Sequence, residues 1–108
     1  MASENFVPCL KEGDLKEGQM KRVQVSGRSI LLARKGGQVF GVSNICPHMG
    51  CSLEKGLLRE YLVMCPCHGW KFDIRNGQYE ENKATALVRY SCIVKDGKIF
   101  VEIPSKVL

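Results

Sequence analysis

Apolar and polar positions alternate with a period of two along much of this chain. Val23 and Val25 fall on one face of the segment Met20 to Val25, and Ile99, Val101 and Ile103 on one face of a segment before Pro104. Alternation of this kind marks a half-buried β-strand. Turn signals punctuate the pattern. Ser26-Gly27 separates Met20–Val25 from the apolar run Ser29 to Arg34, which predicts a hairpin. Lys35-Gly36-Gly37 turns the chain again into a strand over Gln38 to Ser43. Asn76-Gly77 marks a tight turn and Asp96-Gly97 a last hairpin. Val88, Tyr90, Cys92 and Val94 share one face of a strand. Phe6 to Leu10 reads as an edge strand, where Pro8 is tolerated because an edge can lack a ladder donor. Lys11 to Gly18 reads as a loop with at most one helical turn, Leu57 to Met64 as a mixed apolar stretch, and Glu80 to Thr85 as a polar loop. There is no convincing helix, internal repeat or low-complexity tract. The pattern predicts an antiparallel all-β fold class.

Composition narrows the picture. With 108 residues the chain has room for one domain, 1–108, and little for a second core. Its 44% apolar and 25% charged residues are those of an ordinary globule. A domain this small gains from a staple such as a bound metal. The longest apolar runs, such as Ile30-Leu31-Leu32-Ala33, fall far short of the roughly 20 residues that span a bilayer. The N-terminus lacks the basic-then-apolar layout of a signal peptide. These features predict a soluble, cytoplasmic, monomeric protein without a membrane partner. The net charge of +5 has two readings: a solvated Lys-rich surface, or a face that docks on an acidic redox partner. The basic residues are dispersed and not interleaved with aromatics, which argues against nucleic acid.

The candidate chemistry lies in two short loops. One reads Cys46-Pro47-His48-Met49-Gly50-Cys51 and the other Cys65-Pro66-Cys67-His68-Gly69-Trp70. Together they form C-x-H, sixteen residues, then C-x-x-H, and they contain both histidines of the chain. Two thiolates and two imidazoles suit a Rieske [2Fe–2S] centre, in which two His replace two Cys on one iron. Cys₂His₂ is also a zinc set, but a single residue between Cys46 and His48 departs from usual zinc spacing. Pro47 and Pro66 fix φ beside the ligands, and Gly50 and Gly69 let backbone come close. There, backbone N–H groups can hydrogen-bond cluster sulfur and tune its potential. Cys92 shares a face with Val88 and Tyr90, which suits a buried structural thiol rather than a ligand; Cys9 also lies outside the loops.

These two boxes, the run Gly69-Trp70-Lys71-Phe72-Asp73 and the Asn76-Gly77 turn resemble the Rieske iron–sulfur family, specifically its small soluble ferredoxins. The resemblance implies an antiparallel β-sandwich base, residues 1–43 and 74–108, with an inserted cluster-binding subdomain at about 44–73. It implies one [2Fe–2S] cluster per chain, with Cys46 and Cys65 on the inner iron and His48 and His68 on the outer. It also implies a disulfide between Cys51 and Cys67; reduced thiols are the alternative, since cytosolic disulfides are rare. The implied function is one-electron transfer from a reductase to a terminal oxygenase or other redox partner, not catalysis. The other readings are a small subunit of a larger oxidoreductase and a structural zinc module.

Charge counting gives the consequence. Two ferric irons, two sulfides and two thiolates make a formally neutral oxidised cluster, whereas four thiolates leave it two units more negative and harder to reduce. Rieske centres accordingly span about −150 to +300 mV, against about −400 mV for plant-type ferredoxins. In high-potential relatives a Ser and a Tyr donate hydroxyl hydrogen bonds to sulfur, at the positions of Trp70 and Phe72 here. Neither has a hydroxyl, so their expected role is packing against the base. The segment Asn82 to Leu87 also lacks the prolines that often cover the cluster in relatives. Ferric iron lowers the pKa of a bound imidazole, so the potential should fall with pH once that pKa is passed. Voltammetry at neutral pH should therefore give a midpoint near the low end of the Rieske range; one above about +100 mV would contradict the hydroxyl argument.

Overall fold

The computed structural model describes residues 6–47, 50–67 and 69–103. Among them twelve strands run in order: β1 (Phe6–Lys11), β2 (Met20–Val25), β3 (Arg28–Lys35), β4 (Gln38–Ser43), β5 (Leu57–Arg59), β6 (Leu62–Met64), β7 (Lys71–Asp73), β8 (Gln78–Tyr79), β9 (Asn82–Ala86), β10 (Arg89–Tyr90), β11 (Cys92–Lys95) and β12 (Lys98–Glu102). Two single 3₁₀ turns, Glu12–Asp14 and Leu53–Lys55, interrupt the loops. Three antiparallel sheets result, in the orders β1-β12-β11, β10-β4-β3-β2 and β5-β6-β7-β8-β9. The all-β expectation holds. No helix among the described residues is long and apolar enough to cross a membrane.

Strand β3 explains the layering. Its run Ile30-Leu31-Leu32-Ala33 is apolar on both faces, and all four residues are at most 1% exposed. A strand that reads as a continuous apolar run is one covered on both sides. Ile30 and Leu32 pack with Leu15, Tyr90, Ile99 and Val101, toward the β1-β12-β11 sheet. Leu31 and Ala33 pack with Val63, Phe72, Ile74 and Leu87, toward the five-stranded sheet. The middle sheet therefore separates two cores, and the second of these also holds Cys46 and Cys65.

The hairpins fall where the turn residues place them. Ser26-Gly27 joins β2 to β3 and Asp96-Gly97 joins β11 to β12; both residues of each pair have positive φ, as two-residue type I′ turns require. Strand β1 pairs only with β12, and Pro8 sits there next to an irregularity in the register. The loop after it is tied down by Arg34, whose guanidinium donates to the Leu15 carbonyl at 2.8 Å and to the Glu12 carboxylate at 2.8 Å.

Three local expectations are corrected. Leu57 to Met64 is not one stretch but the hairpin β5–β6, reversed at Glu60, whose φ is 58°. Residues 82–86 are not loop but β9, an edge strand held only by β8. Asn82, Ala84 and Ala86 are exposed, so the strand carries no apolar alternation, and the missing pattern hid it. Val88, Tyr90, Cys92 and Val94 do not share one strand. The chain changes sheets at Ser91, with β10 bonded to β4 and β11 to β12. Tyr90 is buried, while Val88 is 54% and Val94 41% exposed.

Phe72, fully buried, is the largest side chain of the core beneath the ligand loops. Phe72→Ala should lower the unfolding free energy by about 3–5 kcal/mol in a denaturant titration. Leu57→Ala, at a residue 57% exposed, should cost well under half of that.

Candidate metal centre

The two ligand loops are built alike. Loop 46–51 leaves the end of β4 and is pinched at its neck by an isolated bridge between Ile45 and Ser52. Loop 65–70 is the connection between β6 and β7, whose last pair is Met64 and Lys71. In the first, Cys46 N–H donates to the Cys51 carbonyl at 3.0 Å and Gly50 N–H to the Cys46 carbonyl at 2.8 Å. In the second, Cys65 N–H donates to the Trp70 carbonyl at 2.7 Å and Gly69 N–H to the Cys65 carbonyl at 3.0 Å. Position one bonds to position six, and position five back to position one, in both. The fifth position has φ of 76° at Gly50 and 75° at Gly69, a region open to glycine at little cost. Each loop thus carries the run Cys-Pro-x-x-Gly.

The cysteines divide by burial. Cys46 is 1% and Cys65 2% exposed, both inside the core with Leu53 and Phe72. Cys51 and Cys67 lie outward and are joined in a disulfide with Cα atoms 6.5 Å apart, within the range such bonds tolerate. The Cys51, Cys65 and Cys67 sulfurs all lie within 4.8 Å of one another. His48 and His68 lie outside the described residues.

Residues that the sequence did not single out hold the first loop. Asn44 is fully buried. Its amide oxygen accepts the Glu54 N–H at 2.9 Å, and its amide nitrogen donates to the Glu54 carboxylate at 3.2 Å and to the Ser29 hydroxyl at 3.4 Å. Its backbone N–H donates to Ser29, and its carbonyl accepts from Leu53. A buried amide with these partners satisfied clamps both ends of the loop to β3. A polar residue two positions before Cys46 was the only signal in the sequence.

Beside the second loop, Trp70 stacks on Tyr79 with centroids 4.1 Å apart and planes at 5°. Phe72, opposite Tyr79 in the sheet, lies under both rings at 5.5 and 6.3 Å. Both expected packing residues do pack on the core; Tyr79 is the unexpected partner. Burial, then Glu81, Cys46 and Glu80, push the Tyr79 phenol pKa up. The outlying thiols are structural. Burial pushes Cys92 up to about 12 and Cys9 up to about 11. Cys92 Sγ donates to the Tyr90 carbonyl at 3.6 Å and Cys9 Sγ to that of Ile99 at 3.4 Å.

Two buried sulfurs on matched loops, shielded by an apolar core, are a soft donor set of the kind that holds iron–sulfur clusters. The family is consistent with that chemistry: residues 5–98 match the Rieske [2Fe-2S] domain, and the chain belongs to that family. Its cofactor is accordingly a Rieske [2Fe–2S] cluster. The chain is 31% identical over 85 residues to the ferredoxin component of biphenyl 2,3-dioxygenase from Rhodococcus jostii, covering 79% of each. It is 31% identical over 96 residues to apoptosis-inducing factor 3 of Homo sapiens; this covers 88% of the chain but spans only 16% of that protein. Among solved structures it is similar to the ferredoxin of carbazole 1,9a-dioxygenase from Nocardioides aromaticivorans, with a TM-score of 0.84, 26% identity, and 91% and 97% of the two chains covered.

The disulfide closes a separation of 16 residues, which the chain-entropy view values at about 3 kcal/mol. Cys51→Ala should lose about that much in a denaturant titration, and added reductant should destabilise the parent protein but leave the variant unchanged.

Proposed function

We propose that this chain is a one-electron carrier that accepts an electron from a reductase and delivers it to a terminal oxygenase or another redox acceptor. The observation that carries the reading is the burial of Cys46 and Cys65 on two loops with the same backbone bonding. Relatives of similar length named as ferredoxin components of dioxygenase systems support it. In this reading Cys46 and Cys65 hold the inner iron and His48 and His68 the outer. The cluster supplies one reversible electron; the protein supplies everything that positions and tunes it. The matched loops hold the sulfurs in place without a large rearrangement. The core around Phe72 and Leu53 keeps water from the thiolate side, and Trp70 and Phe72 offer sulfur no hydroxyl donor.

The chain works as one domain, with a cluster-binding subdomain at about 44–73 that carries both loops. The five-stranded sheet beneath it continues to Ala86. The protein is cytoplasmic and monomeric, and its partners are proteins rather than nucleic acid or membrane. A second reading is a small iron–sulfur subunit of a larger oxidoreductase; the longer relative of which this chain matches only 16% shows that such a domain also occurs within a larger protein.

Purified protein should contain two irons and two sulfides per chain, absorb visible light, and take up one electron to give a rhombic Rieske spin-resonance signal. Cys46→Ser and Cys65→Ser should each abolish that signal, whereas Cys9→Ser and Cys92→Ser should keep it. Stoichiometric zinc in colourless protein, or an unchanged signal in Cys46→Ser, would overturn the assignment.

A further inference from the structure

Three of the loop cysteines converge in a way that the ligand assignment does not use. Cys51, Cys65 and Cys67 bring their sulfurs within 4.8 Å of one another, yet two of the three are outside the proposed ligand set. Their exposure is graded: Cys65 is buried, Cys51 half-buried and Cys67 exposed. Such a gradient gives an ion entering from solvent a path inward. Three thiolates around one zinc at about 2.3 Å stand about 3.8 Å apart, so Cys65 stands within about 1 Å of a binding distance. The bonded Cys51 and Cys67 sulfurs must separate by about 2 Å once their disulfide is broken. The Cys51–Cys67 bond blocks the site, because the metal-binding form of cysteine is the thiolate.

We propose that the loop pair contains a second, redox-gated metal site: a trithiolate of Cys51, Cys65 and Cys67 that takes a soft divalent ion such as zinc or cadmium. The site opens when a dithiol or phosphine reductant breaks the Cys51–Cys67 bond. That step takes up two electrons and two protons and leaves two thiols, while the reductant becomes its disulfide or phosphine oxide. Metal binding then releases three protons, forms three metal–sulfur bonds and leaves one coordination position open. Thiolate sets select soft ions over magnesium or calcium. Where Cys65 holds iron, as the proposed function has it, the two sites exclude each other through their shared sulfur. The disulfide then guards the iron site, since in the oxidised chain a soft metal finds two of its three sulfurs already bonded together.

Alkylation mapping of the full-length, cluster-free chain tests this. Iodoacetamide labelling is followed peptide by peptide, with and without cadmium, before and after phosphine reduction. In the reduced chain cadmium should slow labelling of Cys51, Cys65 and Cys67 by about tenfold or more and leave Cys9 and Cys92 unchanged. In the unreduced chain cadmium should give no trithiolate absorption in the ultraviolet. Cys67→Ser should remove the protection of Cys51. Equal labelling of Cys51 and Cys67 with and without cadmium would overturn the site, including where Cys46 and Cys65 alone are protected, which would place the ion on the cluster ligands. Should reduction without the cluster unfold the chain by circular dichroism, it is refolded with cadmium and mapped again. A chain that fails to refold, or refolds with Cys51 and Cys67 reactive, also counts against it. Because Cys51 and Cys67 are not cluster ligands, their protection stands or falls independently of the Cys46→Ser spin-resonance result.

Discussion

Both ligand loops depend on one repeated set of backbone hydrogen bonds. The first residue of each loop donates to the sixth, and the fifth donates back to the first. That closure turns the chain tightly enough for glycine to serve at the fifth position, and it orients the first cysteine of each loop inward. Without it, Cys46 and Cys65 would sit on ordinary connections whose side chains follow solvent. With it, two sulfurs are presented from two separate parts of the chain by the same local geometry. The outer disulfide joins the same two loops from the solvent side, so the pair is fixed from within and from without.

Cys46 and Cys65 rest on a continuous buried core. Strand β3 is covered on both faces, and the core on one of those faces runs without interruption from Leu31 and Val42 to Cys46, Cys65 and Phe72. Side chains at protein-interior density transmit strain and resist displacement. Asn44 adds the polar counterpart by tying β3, the neck of the first loop and the 3₁₀ turn after it. A carrier benefits from such a setting, because a site that changes little between two charge states loses little energy to rearrangement.

The core around Cys46 and Cys65 is largely apolar and aromatic. Phe72 fills the space under the second loop, and Trp70 stacks on Tyr79. A medium of this kind disfavours added negative charge. Two neutral imidazoles in place of two thiolates act in the opposite direction, and the balance of these terms sets the potential.

The two loops and their tight turns were readable in the chain itself, since cysteine, proline and glycine at fixed short spacings constrain turn geometry locally. The hairpins at Ser26-Gly27 and Asp96-Gly97 were readable for the same reason. What the sequence left undecided was always a matter of which surface covers which. Strand β9 has no apolar pattern because Asn82, Ala84 and Ala86 are exposed. The change of sheet at Ser91 interrupts no alternation, yet Tyr90 before it is buried and Val94 after it is exposed. Asn44 and Tyr79 gain their roles only from partners brought to them by the fold. Local spacing determined where cysteine recurs beside proline and glycine; tertiary packing decided which sulfurs are buried and which are bridged, because burial depends on neighbours far away in the chain.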